Sequence, residues 1–167
     1  MNRLAAAAFR DYKHRMKRSA ALLVYRRTKS SIEVFLVHPG GPFWAKKDLG
    51  AWSIPKGEFD DNEDGLAAGR RVFLEEVGQP NAGDVIALTP VKQRGGKMVH
   101  AWAVEGDVDA AAVKSNEFEM EWPPRSGRTA RFPEVDRGEW FPVAEALRRI
   151  LPSQAPVLEE LLARMGS

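Results

Sequence analysis

Apolar residues recur along the chain with two periods, one suited to strands and one to helices, and their order sketches a mixed fold. Ser19 to Arg27 and Ile32 to His38 are rich in Val, Leu and Tyr and read as two strands joined by a polar turn at Thr28 to Ser31. Proline and glycine break Pro39 to Gly50 into a loop, and a short strand is expected near Trp52 to Ile54. From about Asn62 the period becomes helical, with Leu66, Phe73 and Val77 on one stripe that would be buried. Strands at Val85 to Gln93 and Lys97 to Glu105 flank an Arg94-Gly95-Gly96 turn. Asp107 to Thr129, with its alanine patch and Trp122-Pro123-Pro124, reads as an ordered loop long enough to suggest function. A last strand near Gly138 to Phe141 precedes helices at about Val143 to Ile150 and Ser153 to Met165, divided by Pro152. This order does not read as a doubly wound parallel sheet, and no repeat or low-complexity linker is present.

The central helix carries the chemistry. Asp61 and Asn62 are capping residue types, Asp64 follows Asp61 by three, and acidic side chains favour a helix N-terminus. Positions three and four apart share a helical face, so Glu75 and Glu76 both lie near position 72, and Arg71 sits four before Glu75. Two adjacent carboxylates facing a cleft suit a hard divalent cation. Magnesium takes oxygen ligands, keeps several waters and is commonly held by one or two carboxylates plus substrate phosphates. Phosphate-bearing substrates follow from that preference.

With those residues in view, Gly57 to Gln79 resembles the Nudix box. The pattern is Gly, five residues, Glu, seven residues, Arg-Glu, an aliphatic residue, any residue, Glu-Glu, any residue, Gly and an aliphatic residue. Gly57, Glu63, Arg71, Phe73, Glu75, Glu76 and Gly78 stand in register, whereas Val72 replaces a glutamate and Gln79 an aliphatic residue. The lead-in from Ala51 to Gly57 is similar too, and a weaker likeness runs from Arg18 to Arg164. His38 to Pro42 and Phe118 to Gly127 resemble a bacterial subgroup described as predicted nucleoside triphosphate pyrophosphohydrolases.

The resemblance implies an α+β fold, a mixed β-sheet sandwiched between helices (an α/β/α sandwich). It also implies hydrolysis of a nucleoside diphosphate linked to another group, with Mg2+ or Mn2+ as cofactor. Glu75 and Glu76 would be metal ligands, joined by the backbone carbonyl of Lys56, whose side chain would also meet phosphate. Arg71 would orient Glu75 or Glu63, and Gly57, Glu63, Arg71 and Gly78 would shape the box. Val72 cannot ionise or coordinate a cation, so two readings stay open: another carboxylate serves as base, or the chain is a catalytically impaired nucleotide-binding or sensing module. Glu134, six residues before Trp140, is the first candidate for a base, beside Glu76 in the catalytic set. Glu117, Glu119 and Glu121 are reserves that fit a solvated acidic edge better than a catalytic role.

Composition narrows the partners. A chain of 167 residues, 44% hydrophobic, suits one domain over 16–167, with residues 1–15 as an extension. The formal charge is +2, and the basic residues from Arg10 to Lys29 fit a solvated face better than a nucleic-acid site. Without cysteine, disulfides and thiolate chemistry are excluded. The alanine-rich start is too weak for a secretory or membrane segment, so a cytoplasmic protein is expected. For the substrate, Phe43, Trp44 and Trp122 are candidates to stack a base, and Lys46, Lys47, Arg125 and Arg128 to hold polyphosphate. A nucleotide or polyphosphate is the expected partner, with monomer and homodimer both open. His14, His38 and His100 show no metal-ligand spacing.

Overall fold

The computed structural model describes residues 18–166. The extension expected over 1–15 lies outside the described residues. Strand β1 (Arg18–Arg27) carries an unbroken apolar run from Ala20 to Tyr25 because both of its faces are covered. It pairs antiparallel with β2 (Ile32–Pro39) and parallel with β6 (Met98–Glu105). β3 (Lys56–Phe59) pairs with the first half of β1, β4 (Val85–Ala87) and β5 (Val91–Lys92) pair with β6, and β9 (Val135–Pro142) lies beside β2. Together they form a seven-stranded mixed sheet.

Alternation along β1 and β2 feeds two cores, as the period of a strand requires. Leu22, Val24, Phe35 and Val37 pack on one face with Phe73 and Val77 of helix α1 (Gly65–Val77). Ala21, Leu23, Val34 and Leu36 pack on the other with α2 (Val143–Arg149) and α3 (Ala155–Arg164), through Ala146, Val157, Leu158 and Leu161. Helices on both faces of a mixed sheet make the expected α/β/α sandwich. Burying Phe73 and Val77 contributes about 1.5–3 kcal/mol each, and this anchors α1 more firmly than its intrinsic propensity does. None of the described helices is long and apolar enough to cross a membrane.

Four local expectations are corrected. Helix α1 starts three residues later than the capping residues suggested. Asp60 forms the preceding turn by accepting from the Asn62 amide, and Asp64 is the N-cap, accepting from the Ala67 amide at 3.0 Å. Trp52 to Ile54 is no strand; it makes only isolated bridges to Val37 and Ile150, and regular pairing begins at Lys56. Val85 to Gln93 splits into β4 and β5 because Pro90 has no amide to donate and the Thr89 amide goes to the Glu160 carboxylate at 2.7 Å. The expected loop over Asp107 to Thr129 contains a 3-10 turn (Ala110–Ala112) and then β7 (Glu117–Glu121), which pairs with β8 (Thr129–Pro133) as a separate hairpin.

Candidate functional site

Helix α1 ends at Gly78, whose left-handed conformation (φ 78°) turns the chain while its amide donates to Leu74. A Cβ there would stand 2.5 Å from the Lys114 carbonyl oxygen, so this closure requires glycine. The last carbonyls of the helix then find partners in the following chain. Lys114 N–H donates to Val77 and Asn116 N–H to Glu75. Glu134 N–H donates to the Asn116 carbonyl at 2.8 Å, and Gly40 N–H donates to the Glu134 carbonyl at 2.9 Å. This run of backbone bonds brings Glu134 and the 40–50 loop to the end of the helix that bears Glu75 and Glu76.

Arg71 saturates one flank of the helix. Its guanidinium donates to both oxygens of Glu63, at 2.8 and 3.0 Å, and to Glu75 at 2.9 Å. These hydrogen bonds hold the Arg71 proton well above the ordinary arginine range. Glu76 meets different surroundings. Burial pushes its carboxyl up to about 8, and Glu134 and Glu75 add to that rise, while the Lys56 ammonium and backbone amide oppose it. Lys56 is in turn lowered, first by burial and then by Lys97. Glu134 is raised by burial and by Glu75.

Val72 is 3% exposed and packs against Gly57, where an added Cβ would stand 2.9 Å from a Val72 methyl group. The side chain therefore belongs to the layer between α1 and β3. Gly57 is required here by close approach.

Two neighbouring cavities open beside Glu76. The inner one, about 230 Å³, is lined by Val37, Ser53, Lys56 and Leu151 among others. The outer one, about 490 Å³, is lined by Gly40 to Phe43 and by Phe118 and Met120 of β7. Pro39, Trp44, Glu76 and Glu134 line both. Phe43 is 58% exposed and meets Trp122 edge-on at 5.6 Å. Lys56, Phe43, Trp44, Glu76 and Glu134 are thus brought together.

Arg125 sits at the hairpin tip with φ 61°, its amide bound to Glu121, and it lines neither cavity. Lys46 and Arg128 line neither, and the Lys47 ammonium lies over the Trp44 ring at 5.0 Å. Glu117, Glu119 and Glu121 occupy the exposed side of β7, opposite Phe118 and Met120. His100 packs on Phe59.

Three contributors escaped the sequence pattern. Phe118 and Met120 carry the alternation of a strand in Glu117 to Glu121, a signal that was legible but assigned only to its acidic members. Gln154, fully buried, accepts from the Ile54 amide at 2.9 Å and exchanges hydrogen bonds with Ser53, fixing the segment that delivers Lys56. No local pattern marks it.

The oxygen donors suit a hard divalent cation, and the crowding of Glu75, Glu76 and Glu134 is negative charge that such a cation would relieve. Among the described residues no three His, Cys, Asp or Glu side chains converge as a metal cluster. Water and substrate phosphates would have to complete any coordination sphere.

Comparison with known proteins bears on this arrangement. A model of the NUDIX domain matches residues 15–161. No curated protein sequence matches significantly. Among solved structures, an Ap4A hydrolase of C. elegans in a binary complex superposes with a TM-score of 0.61 at 19% identity, covering 89% of this chain and 98% of that one. The NUDIX domain of Shewanella oneidensis NrtR, complexed with ADP ribose, gives 0.63 at 16% identity, covering 99% of each chain. A mutT/nudix family protein from Listeria innocua gives 0.58 at 15% identity over 90% of this chain and 94% of its own. At these identities the superpositions show the shared fold.

Proposed function

The chain belongs to the Nudix family of pyrophosphohydrolases, and we propose that it hydrolyses a nucleoside diphosphate linked to a further group, with Mg2+ or Mn2+ as cofactor. We place this activity in the cytoplasm. The observation that carries the reading is the lining that the two cavities share, where Glu76 and Glu134 stand between an aromatic chamber and a chamber holding Lys56. A planar base fits the aromatic side, against Phe43, Trp44 and Phe118. Anionic phosphate fits the side of Lys56, the one cationic side chain lining either cavity among the described residues.

A divalent cation would be held by Glu75, Glu76 and the Lys56 carbonyl, where it supplies charge neutralisation at the diphosphate. The chain's own groups divide the remaining work. Glu134 accepts the proton of the attacking water at its carboxylate, and its raised affinity for protons brings it nearer the working pH. Lys56 orients the phosphates. Arg71 keeps Glu75 in place. Val72 takes no part in proton transfer and packs against Gly57.

The decisive assay incubates the protein with magnesium or manganese and a panel of nucleoside triphosphates, nucleotide sugars and dinucleoside polyphosphates, with products separated by chromatography. Metal-dependent cleavage lost in Glu76→Gln is the expected result. The buried apolar Val72 favours a second reading, a nucleotide-binding module without turnover. Intact nucleotide binding without cleavage across the panel would select it.

A further inference from the structure

Glu134 stands where the ladder between β2 and β9 goes out of step. His38 pairs with Arg137 but Pro39 pairs with Val135, so Asp136 is an extra residue on β9. Such a bulge re-aims the side chains beside it and interrupts the pairing that would otherwise fix them. Pro39 brings no amide to this stretch. The next bond across runs from the Gly40 amide to the Glu134 carbonyl, at 2.9 Å. The Glu134 carboxylate itself forms no hydrogen bond or ion pair among the described residues. Its place in the cleft is therefore set by the backbone on either side of it.

Among the described residues, one side chain holds that backbone from its other edge. The Val135 amide, part of the peptide group that carries the Glu134 carbonyl, donates to Ser115 Oγ at 3.1 Å. The Ser115 hydroxyl has one proton to give, and the Asn116 carbonyl at 2.8 Å and the Val135 carbonyl at 3.1 Å both lie within its reach. Asn116 in turn accepts from the Glu134 amide at 2.8 Å and donates to the Glu75 carbonyl at 2.8 Å. Ser115 thus stands between the strand that bears Glu134 and the end of α1 that bears Glu75 and Glu76. Val135 is buried, so its amide has little access to a substitute acceptor.

We infer that Ser115 is a positioning residue, whose hydroxyl holds the bulged start of β9 so that the Glu134 carboxylate stays in reach of the attacking water. This rests on reading Glu134 as the base. Ser115 lines neither cavity, so it acts through Glu134 and not on the nucleotide. A base must lie within hydrogen-bond reach of the proton it takes, and a misplacement of about 1 Å can cost about 10²-fold. Without the hydroxyl the Val135 amide loses its acceptor, the bulged segment shifts and Glu134 moves with it. Glu75, Glu76 and Lys56 stay where α1 and β3 hold them.

The test combines kinetics and hydrogen exchange on the full chain at one fixed pH, so that titration of the cleft carboxylates does not enter. Ser115→Ala should lower kcat about tenfold on the panel nucleotide that the wild type cleaves best, with KM within about twofold. Ser115→Thr, which keeps the hydroxyl, should restore most of that loss. In a Glu134→Gln background Ser115→Ala should cost nothing further, as when one residue works through the other. Full kcat in Ser115→Ala, or an undiminished tenfold loss added to that of Glu134→Gln, would overturn the inference. Exchange needs no turnover. In Ser115→Ala the Glu134 and Gly40 amides should exchange at least about tenfold faster, with the amides of β1 unchanged; unchanged exchange at Glu134 and Gly40 would sink the hold on this segment. Loss of kcat in Glu134→Gln but not in Ser115→Ala would strike out Ser115 and leave Glu134 as base. If the wild type cleaves nothing, the hydrolase reading falls and the exchange result decides whether Ser115 holds Glu134.

Discussion

The two flanks of helix α1 show how neighbouring carboxylates acquire different roles. Glu75 is held by Arg71 at 2.9 Å in a partly exposed network with Glu63. Glu76, the next residue, turns into the cleft, where burial and like charge push it up to about 8. Residue type and helix are the same; the difference is a guanidinium on one side and a desolvating wall with a second carboxylate on the other. The paired glutamates thus divide into one proposed cation ligand that Arg71 already holds in place and one that burial keeps in reserve for chemistry.

Glu76→Gln sharpens that division most. Turnover should fall about 10³-fold, within the range for removal of a group that acts in the transition state. Glu75→Gln, which leaves Glu63 to hold Arg71, should cost about tenfold. Equal losses, read as kcat on one nucleotide substrate, would erase the distinction. Stability should move oppositely. The folded pKa of Glu76 lies above its unfolded value, so its contribution is fully present below about 4.5 and is lost as pH rises through about 8. Thermal melts should therefore show Glu76→Gln more stable than wild type at pH 9, by about 2 kcal/mol after allowance for solvent screening, and equal to it at pH 4.

Glu134→Gln asks whether the third carboxylate belongs with Glu76 or is a bystander. As the base it should cost about 10²-fold in kcat with KM little changed. Its loss should also ease the charge crowding, so that Glu76 titrates at lower pH in a 13C-carboxyl NMR experiment. A Glu134→Gln enzyme with full kcat would return the base to an unassigned group.

Legibility in the sequence followed the range of the forces involved. The apolar runs of β1 and β2 and the stripe on α1 are local and were readable, as was the register of the box. The start of α1 was not, because Asp60, Asp61, Asn62 and Asp64 all compete to cap and only the turn geometry selects Asp64. The β7–β8 hairpin was missed because its pairing, Phe118 with Phe132 and Glu119 with Arg131, joins residues across a Pro-rich tip. The seat of Glu134 depends on backbone bonds through Asn116 and Gly40, which no side-chain pattern reports. Val72 was legible as a departure from the box, but its burial against Gly57 was not.

Val72→Glu probes the layer between α1 and β3. If Glu134 already serves as base, the new carboxylate should not raise kcat. It should destabilise the fold by about 2–4 kcal/mol in chemical denaturation, because it replaces a packed, 3% exposed methyl pair with a charge facing Gly57. A rise in kcat by orders of magnitude would instead show that turnover was waiting for this group.

The smallest expected effect lies on the aromatic side of the cleft. Phe43 is 58% exposed and touches Trp122 edge-on, so Phe43→Ala should change stability by less than about 0.5 kcal/mol. Its ring can still stack on a bound base, and the loss should raise KM about fivefold, near the low end for base–aromatic stacking. Because the ring touches no reacting atom, kcat should hold. A fall in kcat at constant KM would mean that the aromatic wall takes part in the transition state, and the separation between base capture and phosphate chemistry along this cleft would collapse.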